Sequence, residues 1–362
     1  MPPQAILVEI LNRHQGDAVL EPEKLPEQLE ALLSDVWAAG SPASVSDFVQ
    51  ITGGYSRYMA RFAAATGDRS ERFILRADPP PGQSILDTDR QLEWDLVRSL
   101  MADGGVTMPA ARFYDEGSAL GAPAILFDEI VGETLYVRIQ QDEVTDHLDL
   151  LEPLADLSAA IHGVDVATLP DAIERPASWD DYIDAGAARW RTVEEDHVES
   201  DPFMRVIAAW LVANKPPPTE LTLVHGDFQA PNILIDESTA AFNMLDWELA
   251  HIGDPREDLG WWALAHTSQP PNLIEADQDR FLARYRARTG LSEEVVNPAT
   301  LAYFTVFASL GVFANVIGAT AAMARGQASG MTVAYMTSAI PSMHGIYINA
   351  MQQAGAWRED NA

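Results

Sequence analysis

Three oxygen-bearing side chains stand close together in one stretch of the sequence. Asp227 lies in a loop that contains Gly and Pro, Asn232 directly precedes the short run 233–235, and Asp246 directly follows a second short run, 243–245. A polar turn joins the two runs, so they predict a hairpin, which would bring Asn232 and Asp246 side by side. Hard oxygen ligands suit Mg²⁺ shared with a substrate phosphate, and a carboxylate that does not bind the metal can accept a proton from an attacking hydroxyl. Asp and Asn also populate ordinary turns, but all three at these spacings favour a site.

The elements around these residues indicate two lobes of different character. Before residue 130 the pattern predicts a helix at residues 87–101 and strands at residues 48–51, 58–64, 72–76 and 124–127. After residue 130 helical patterns dominate, and one β-rich island, residues 221–246, carries the three side chains. The chain is therefore predicted to be an α+β protein with a small β-rich lobe at 1–129 and a larger, mainly helical lobe at 130–362.

Three short blocks of sequence carry a resemblance to a known family. They are His-Gly-Asp-Phe-x-x-x-Asn at 225–232, Leu-Asp-Trp-Glu at 245–248 and Gly-Asp-Pro-x-x-Asp-Leu-Gly-Trp at 253–261. In this order the blocks resemble the aminoglycoside phosphotransferase family, a group of small-molecule kinases that includes choline and homoserine kinase relatives. The resemblance implies a bilobal protein-kinase-like fold, with a nucleotide-binding N-terminal lobe and a C-terminal lobe for catalysis and substrate binding.

The resemblance also implies a role for the polar residues of these blocks. Asp227 would be the catalytic base, and Asn232 and Asp246 would be the ligands of Mg²⁺. Asp258 and His225 would be structural residues that hold the catalytic loop in place.

Fewer residues carry the resemblance in the N-terminal lobe. Gly53 and Gly54 stand where the family's glycine-rich turn covers the nucleotide phosphates, and glycine lets the backbone approach phosphate closely. The family's third strand usually has a Lys that grips the α- and β-phosphates, but Arg76 holds that place here, with Glu93 as its helix partner. Arg can bind phosphate through two hydrogen bonds, so its geometry differs from that of Lys. The alternatives are a plain hairpin turn, a surface charge at Arg76 and a solvated helix residue at Glu93.

Two further positions bear on the substrates that the resemblance implies. Asp128 and Ile130 lie where the family's hinge meets the purine through backbone groups, so their side chains leave ATP and GTP open as donors. After Asp246, a Trp-Glu pair replaces the Phe-Gly of protein kinases, and Gly253 follows almost at once. This spacing leaves no room for an activation loop or a peptide-docking platform, which favours a small-molecule acceptor.

Acidic and aromatic residues lie in the two regions where the family binds its acceptor. The first region includes Asp180 and Asp184, and the second includes Trp261 and Trp262. Acids there could receive a cationic, amine-bearing acceptor, and the aromatic rings could stack on it. The alternative is a solvated acidic helix with tryptophans in the core. His162 matches a family position and is predicted to be a structural histidine.

The composition restricts the partners and the compartment. There are 54 acidic and 23 basic residues, a formal net charge of −31, and a field this negative repels nucleic acid and anionic membrane surfaces. The uncharged stretch 295–324 is long enough to cross a bilayer, but polar residues and glycines interrupt it and favour buried helix. The N-terminus lacks the basic region and long apolar core of a signal peptide, which favours a cytoplasmic protein. The absence of cysteine excludes disulfides and thiolate metal sites, and the oligomeric state stays open.

These observations lead to one main hypothesis and one rival. The main hypothesis is an enzyme that uses Mg²⁺ to transfer the γ-phosphate of ATP or GTP to a hydroxyl of a small molecule. The rival is a nucleotide-binding pseudoenzyme with a sensing or scaffolding role. Arg76, in place of the usual Lys, favours the rival, whereas the intact set of Asp227, Asn232 and Asp246 favours the enzyme.

Overall fold

The computed structural model describes most of the chain as two compact units. The described residues are 20–37, 41–51, 57–67, 69–78, 89–196, 202–325 and 344–355. The first unit comprises Met1–Trp94 and Ala110–Glu129, and the second comprises Asp95–Pro109 and Ile130–Ala362. The chain passes into the main segment of the second unit after Glu129, and residues 95–109 also group with the second unit.

The first unit is built on a five-stranded antiparallel sheet. Its strands are β1 (Ser44–Ile51), β2 (Tyr58–Thr66), β3 (Arg69–Ala77), β4 (Ala111–Asp115) and β5 (Ala124–Asp128), in the order β1-β2-β3-β5-β4. Helix α1 (Leu25–Trp37) buries Leu25, Leu29 and Leu33, which are spaced one turn apart, in the same core as Phe62 and Phe73. The four strands predicted in this part of the chain are confirmed, and each is longer than predicted.

Strand β3 places Arg76 on the opposite face of the sheet from the phenylalanine core. Phe73 and Leu75 are fully buried in that core, and side chains alternate between the two faces along a strand. Arg76 pairs across the sheet with Met59 of β2 and Ile125 of β5. The predicted helix that follows is confirmed as α2 (Arg90–Asp103); residues 87 and 88 of the prediction lie outside the described part of the chain.

The described residues of the second unit form two small sheets, and the predicted hairpin supplies two of the three strands of the first. That sheet has the order β6-β8-β9, from β6 (Gly132–Thr134), β8 (Ile233–Asp236) and β9 (Phe242–Met244). The second sheet pairs β7 (Thr222–Val224) with β10 (His251–Gly253). Ile233 pairs with Met244 at the open end of the hairpin, so the residues just outside this pair are brought together as predicted.

The second unit also contains a series of helices. They are α3 (Leu135–Ile139), α4 (Leu151–His162), α5 (Trp179–Asp196), α6 (Phe203–Ala213), α7 (Arg256–Ser268), α8 (Leu273–Ala276), α9 (Gln278–Thr289) and α10 (Pro298–Ala324), with residues 344–355 also helical. Helices α5, α6 and α10 share one apolar core. A Cβ on Gly186 of α5 would lie 2.3 Å from the ring of Phe307 in α10, so the small residue allows the two helices to pack closely. Among the helices described, none has both the length and the apolar character needed to cross a membrane.

Candidate active site

The loop after β7 carries the first residues of the site. It runs from His225 to Asn232, and a short 3₁₀ turn, Ala230–Asn232, leads it into β8. Gly226 has a φ of 79°, in the left-handed region, and a Cβ there would lie 2.4 Å from the backbone oxygen of Leu249. Only glycine fits both conditions, so this residue determines the path of the loop.

Asp258, at the start of α7, binds the backbone of the same loop. Its carboxylate accepts hydrogen bonds from the backbone N–H of His225 and of Gly226, each at 2.9 Å. It also lies 3.0 Å from Nε2 of His162, whose Nδ1 lies 2.7 Å from the hydroxyl of Tyr285. Burial alone would raise the pKa of Asp258, but these hydrogen bonds and the nearby imidazoles outweigh it and lower the pKa. Asp258 therefore stays charged and fixes the loop.

The His225 ring joins this loop to the strand that leads to Asp246. Its Nε2 lies 2.9 Å from the backbone oxygen of Leu245, and its Nδ1 accepts the backbone N–H of Asp227 at 3.2 Å. Since Nδ1 accepts, Nε2 carries the proton and donates it to the carbonyl. His225 and Asp258 thus have the geometry of the loop-supporting residues expected from the sequence, and buried His162 has that of a structural histidine.

Asp227 is half-buried, and hydrogen-bond donors bind both of its side-chain oxygens. Oδ1 accepts from Nε2 of Gln229 at 2.6 Å and from the indole N–H of Trp261 at 2.8 Å, and Oδ2 accepts from Nδ2 of Asn232 at 2.7 Å. Burial and then the negative charge of Asp246 raise the pKa of Asp227 to about 7, while the three donors oppose that rise. A carboxylate with a pKa near neutrality and a fixed orientation is suited to accept a proton.

Asn232 and Asp246 lie at the open end of the hairpin. The backbone N–H of Leu245 donates to the carbonyl of Asn232 at 2.8 Å, which continues the pairing of β8 with β9 by one residue. Asp246 follows in the left-handed region with φ 65°, a conformation that Asp tolerates better than most residues. The three residues predicted to form the site are therefore neighbours.

The donor set can be tested for its fit to a metal ion. Nδ2 of Asn232 donates to both the backbone oxygen and Oδ2 of Asp227, so the side-chain oxygen of the amide is turned away from Asp227. A carboxamide oxygen together with the carboxylate of Asp246 would be a hard, incomplete ligand set, as Mg²⁺ uses when water and phosphate fill the remaining positions. In the described residues no three His, Cys, Asp or Glu side chains form a cage that could hold an ion by themselves. The residues therefore fit Mg²⁺ shared with a substrate.

The first unit contains the arginine and glutamate that the sequence paired. Nη1 of Arg76 donates to Oε1 of Glu93 at 2.6 Å, and the residues are only 5% and 3% exposed. The alternative of a surface charge and a solvated helix residue is therefore wrong. Nη1 of Arg90 donates to the other oxygen, Oε2 of Glu93, while Nε and Nη2 of Arg90 donate to Oδ1 of Asp78 at 3.1 and 2.8 Å.

The structure gives less information about the other residues expected to contact nucleotide. Gly53 and Gly54 lie outside the described residues. Asp128 donates its backbone N–H to Ala110 and binds Arg112 through its side chain, with Nε of Arg112 at 2.7 Å. Ile130 is half-buried at the start of the second unit's main segment.

The four residues expected to receive the acceptor have different partners. Asp180 and Asp184 are exposed on α5, and both bind Lys215, at 2.7 and 2.8 Å. Trp262 is only 1% exposed and donates its indole N–H to Asn272 at 2.9 Å, so it is a core residue as the alternative held. Trp261 donates its indole N–H to Asp227 in the loop 225–232, and the ring of Trp262 packs against Phe228 of the same loop.

Several residues of these networks were missed at the level of sequence, among them Gln229 and Arg90. Gln229 lies two residues after Asp227, and its role could have been inferred only from the curl of the loop. Arg90 lies three residues before Glu93, on the same side of a helix; that spacing was a usable signal.

A comparison with protein families gives a match over most of these elements. The profile described as the phosphotransferase enzyme family matches residues 47–294. The match includes the whole loop 225–232 and also Arg76, Arg90 and Glu93.

Among curated proteins, the chain is similar to part of a much longer one. It is 26% identical over 208 residues to acyl-CoA dehydrogenase family member 10 of Mus musculus, a match that covers 54% of this chain and 19% of the mouse protein. The chain thus spans about a fifth of the length of that relative, and the relative's name is no guide to the activity of this chain.

Solved structures with a similar fold cover nearly the whole chain. A candidate aminoglycoside phosphotransferase from Ralstonia eutropha has a TM-score of 0.66 at 19% identity, covering 90% of this chain and 98% of that one. A choline/ethanolamine kinase family protein from Mesorhizobium loti has a TM-score of 0.58 at 15% identity, covering 91% and 99%. The GDP complex of an aminoglycoside 2′-phosphotransferase-IIIa mutant has a TM-score of 0.55 at 13% identity, covering 93% and 98%. At these identities the similarity confirms the predicted α+β, protein-kinase-like fold.

Proposed function

Because this chain belongs to the phosphotransferase enzyme family, we propose that it transfers the γ-phosphoryl group of ATP or GTP to a hydroxyl of a small molecule. One observation carries the proposal: Asp227 is oriented by three donors beside Asn232 and Asp246. A phosphotransferase needs this arrangement, because its work is mostly positioning and the neutralisation of charge.

Each of the three residues has a defined part in the proposal. Asp227 orients the acceptor hydroxyl and takes its proton as the oxygen attacks phosphorus. Asn232 and Asp246 would hold Mg²⁺, which supplies positive charge to the phosphates when it is bound. Asp258 and His225 keep the loop in the geometry that this transfer needs.

The first unit would bind the nucleotide. The buried ion pair between Arg76 and Glu93 supports this part of the proposal, because it resembles the Lys–Glu pair that the family uses to grip phosphate. Gly53 and Gly54 would cover the phosphates, and the backbone at Asp128 and Ile130 would meet the purine. A solved structure of similar fold, 13% identical to this chain, is a GDP complex, which supports a purine nucleotide as the phosphate donor.

The acceptor is proposed to be a small molecule with a reactive hydroxyl. The ion pairs of Asp180 and Asp184 with Lys215 weigh against these two acids as the receptor of a cationic acceptor. Trp261 remains the best candidate to touch the acceptor, because its indole binds the proposed base. Access to ATP or GTP would place this activity in the cytoplasm.

The test is a screen of hydroxyl compounds for nucleotide turnover with Mg²⁺ present, with ATP and GTP in parallel. The proposal expects at least one compound to raise turnover above hydrolysis by water, and expects Asn232→Ala or Asp246→Ala to raise the Mg²⁺ concentration required. The rival, a nucleotide-binding pseudoenzyme, expects tight binding of ATP or GTP without turnover for any compound.

A further inference from the structure

One face of helix α7 follows the loop 225–232. Asp258, Trp262 and His266 are spaced four residues apart in this helix, so they lie on the same side of it. Asp258 binds the backbone at the start of the loop, and the ring of Trp262 packs against Phe228, with the ring centroids 5.7 Å apart. The third residue of this face, His266 in the last turn of the helix, has no part in the proposed transfer.

His266 is buried, and its two ring nitrogens have partners of opposite kinds. Nε2 accepts the backbone N–H of Ala230 at 3.4 Å. Nδ1 lies 3.0 Å from the backbone oxygen of Gln269 and 3.1 Å from that of Pro271. Since a carbonyl oxygen only accepts and a backbone N–H only donates, Nδ1 carries the proton and Nε2 does not. Burial lowers the pKa of His266, although the two carbonyls oppose this effect, and so favours the neutral ring.

The N–H of Ala230 begins the turn that leads to Asn232. Ala230–Asn232 form the 3₁₀ turn before β8, and the first N–H groups of such a turn have no acceptor inside it. The side chain of Gln229, which precedes the turn, does not cap it and binds Asp227 instead. Nε2 of His266 supplies an acceptor from α7, and this contact fixes the start of the turn.

The ring of His266 is itself held in one orientation. It packs against the indole of Trp262, with ring centroids 4.3 Å apart, and the indole N–H of Trp262 donates to Asn272 at 2.9 Å. The two carbonyls that accept from Nδ1 fix the direction of the opposite nitrogen. An acceptor held in this way restricts the backbone of Ala230 and, through it, the side chain two residues further on.

We propose that His266 is a positioning residue for the metal site: by accepting the N–H of Ala230, it holds the 3₁₀ turn where Asn232 can bind Mg²⁺. The inference rests on the proposed function, because it takes Asn232 as a ligand of Mg²⁺.

The test measures how strongly Mg²⁺ enhances the binding of ATP. ATP is titrated calorimetrically into the full chain, once with Mg²⁺ and once with EDTA, and the ratio of the two affinities is the Mg²⁺ enhancement. His266→Phe keeps an aromatic ring against Trp262 but removes the acceptor of Ala230. The enhancement should therefore fall by about fivefold or more, the scale of leaving a buried donor without its partner, while the affinity in EDTA stays within about twofold of the parent.

A double-mutant cycle shows whether His266 acts through Asn232. Asn232→Ala alone should also reduce the Mg²⁺ enhancement. Adding His266→Phe should then reduce it by less than about twofold more, because the side chain that His266 positions is gone. An unreduced enhancement in a folded His266→Phe protein, or an equal reduction in both backgrounds, would overturn the proposal.

Asn272→Ala is the matched control, and His266→Gln tests rescue. Asn272→Ala removes the acceptor of the Trp262 indole but leaves the contact of His266 with Ala230, so it should lower the unfolding midpoint without changing the enhancement. A reduction as large as that of His266→Phe would show an effect of stability alone and refute the proposal. The side-chain oxygen of Gln can still accept the N–H, so His266→Gln should recover most of the lost enhancement, and no recovery in a folded protein would contradict the role of Nε2.

Nitrogen NMR of the parent, labelled at histidine, tests the proposal even if His266→Phe does not fold. The resonances of His266, identified by their loss in His266→Gln, should show a proton on Nδ1 and none on Nε2. A proton on Nε2 would overturn the proposal, because that nitrogen could not accept the N–H of Ala230. If Mg²⁺ does not enhance ATP binding to the parent, the proposed function loses its metal site; if it does and His266→Phe keeps the enhancement, only this inference fails.

Discussion

Asp227 combines a raised pKa with a fixed orientation. Burial and the charge of Asp246 raise its pKa to about 7, and the hydrogen bonds from Gln229, Asn232 and Trp261 limit the rise. A base works best when its pKa lies near the working pH. Mg²⁺ beside Asp246 would offset the negative charge there and lower the pKa of Asp227.

Removing the indole donor should change the pH dependence of turnover. Trp261→Phe keeps an aromatic ring but removes the N–H that stabilises the charged form of Asp227, so the pKa of Asp227 should rise further. The acid limb of the pH–rate profile should move to higher pH, and activity at pH 7 should fall several-fold. Gln229→Ala removes the other donor to Oδ1 and should shift the profile in the same direction. Unshifted profiles in both variants would show that these donors do not tune the base.

Glu257 directly precedes Asp258, and it forms a pair with His251 in which neither side chain is charged. Nδ1 of His251 lies 2.9 Å from the backbone oxygen of Leu249, so Nδ1 carries a proton, and in the neutral ring, which burial favours, Nε2 accepts. Glu257, 3.3 Å from that Nε2, must then donate as the protonated acid. Burial and the charge of Asp258 raise the pKa of Glu257 to about 8, and burial lowers the pKa of His251, which agrees with a neutral pair.

The stability of the folded chain should reflect this pair. The folded pKa of Glu257, about 8, lies above its ordinary value of 4.5, so its contribution is complete below pH 4.5 and is lost as the pH rises towards 8. Glu257→Gln imitates the protonated acid without titrating. It should therefore raise the unfolding temperature relative to the parent at pH 8, with a much smaller difference at pH 5. Thermal unfolding of both proteins across this range checks the sign, and a difference that is independent of pH would contradict the neutral pair.

At the scale of elements, the position of α7 matters most for the site. This helix carries both Asp258 and Trp261, so its distance from α10 determines where two contacts of the catalytic loop lie. A Cβ on Gly260 would lie 2.3 Å from the backbone carbon of Phe304 in α10. Glycine is therefore required at this helix crossing.

Adding one methyl group there should destabilise the protein. Gly260→Ala gains helix propensity but forces α7 away from α10, so the free energy of unfolding should fall by about 1–3 kcal/mol, as for other overpacked cores. Gly345→Ala is the matched control, because this helical glycine has nothing within 4 Å of its Cβ position. The control should leave stability unchanged or raise it by up to about 1 kcal/mol. Chemical denaturation measures the free energy of unfolding of both variants. Equal stability of the two would contradict the close packing of α7 against α10 at Gly260.

The sequence predicted those elements whose pattern is local. The hairpin of β8 and β9 has two short runs and a polar turn, and its register follows from them, so the positions of Asn232 and Asp246 could be inferred. The ion pair of Arg76 with Glu93 followed from the family resemblance. The acceptor residues could not be predicted in this way, because an acidic helix does not reveal that Lys215 binds Asp180 and Asp184.

Burial was harder to infer from sequence than position. Arginines at strand ends are usually exposed. Arg76 is buried because its hydrogen bond to the Glu93 carboxylate compensates its charge. The two adjacent tryptophans look alike in sequence, but successive helical residues point about 100° apart. Trp261 therefore reaches Asp227 while Trp262 packs against Phe228.

At the scale of the whole molecule, the net negative charge disfavours the approach of the proposed nucleotide substrate. A chain with a net charge of −31 repels the anionic nucleotide at long range. Phosphate binding would therefore depend on local positive charge, which we propose that Arg76 supplies. Long-range repulsion and local attraction respond differently to salt, because screening weakens the distant charges first.

This contrast predicts how nucleotide association depends on salt. Between ionic strengths of about 0.01 M and 0.15 M the screening length falls from about 30 Å to about 8 Å. The association rate constant of ATP with Mg²⁺ should rise over this interval, as expected for two partners of like charge. Stopped-flow mixing with a fluorescent ATP analogue measures the rate constant. A rate constant that falls steadily with salt would indicate that positive charge dominates the approach.

The central claim is that Asp227 is the base of a phosphotransferase. Its most direct test is the turnover of the Asp227→Asn variant with an acceptor found in the hydroxyl screen, measured with the affinity for ATP or GTP. Asparagine keeps the size of the side chain and cannot accept the proton, so turnover should fall by about two or more orders of magnitude. Nucleotide affinity should stay within about twofold of the parent, because Asp227 is not proposed to bind the nucleotide. Unchanged turnover in a folded Asp227→Asn protein would contradict the claim.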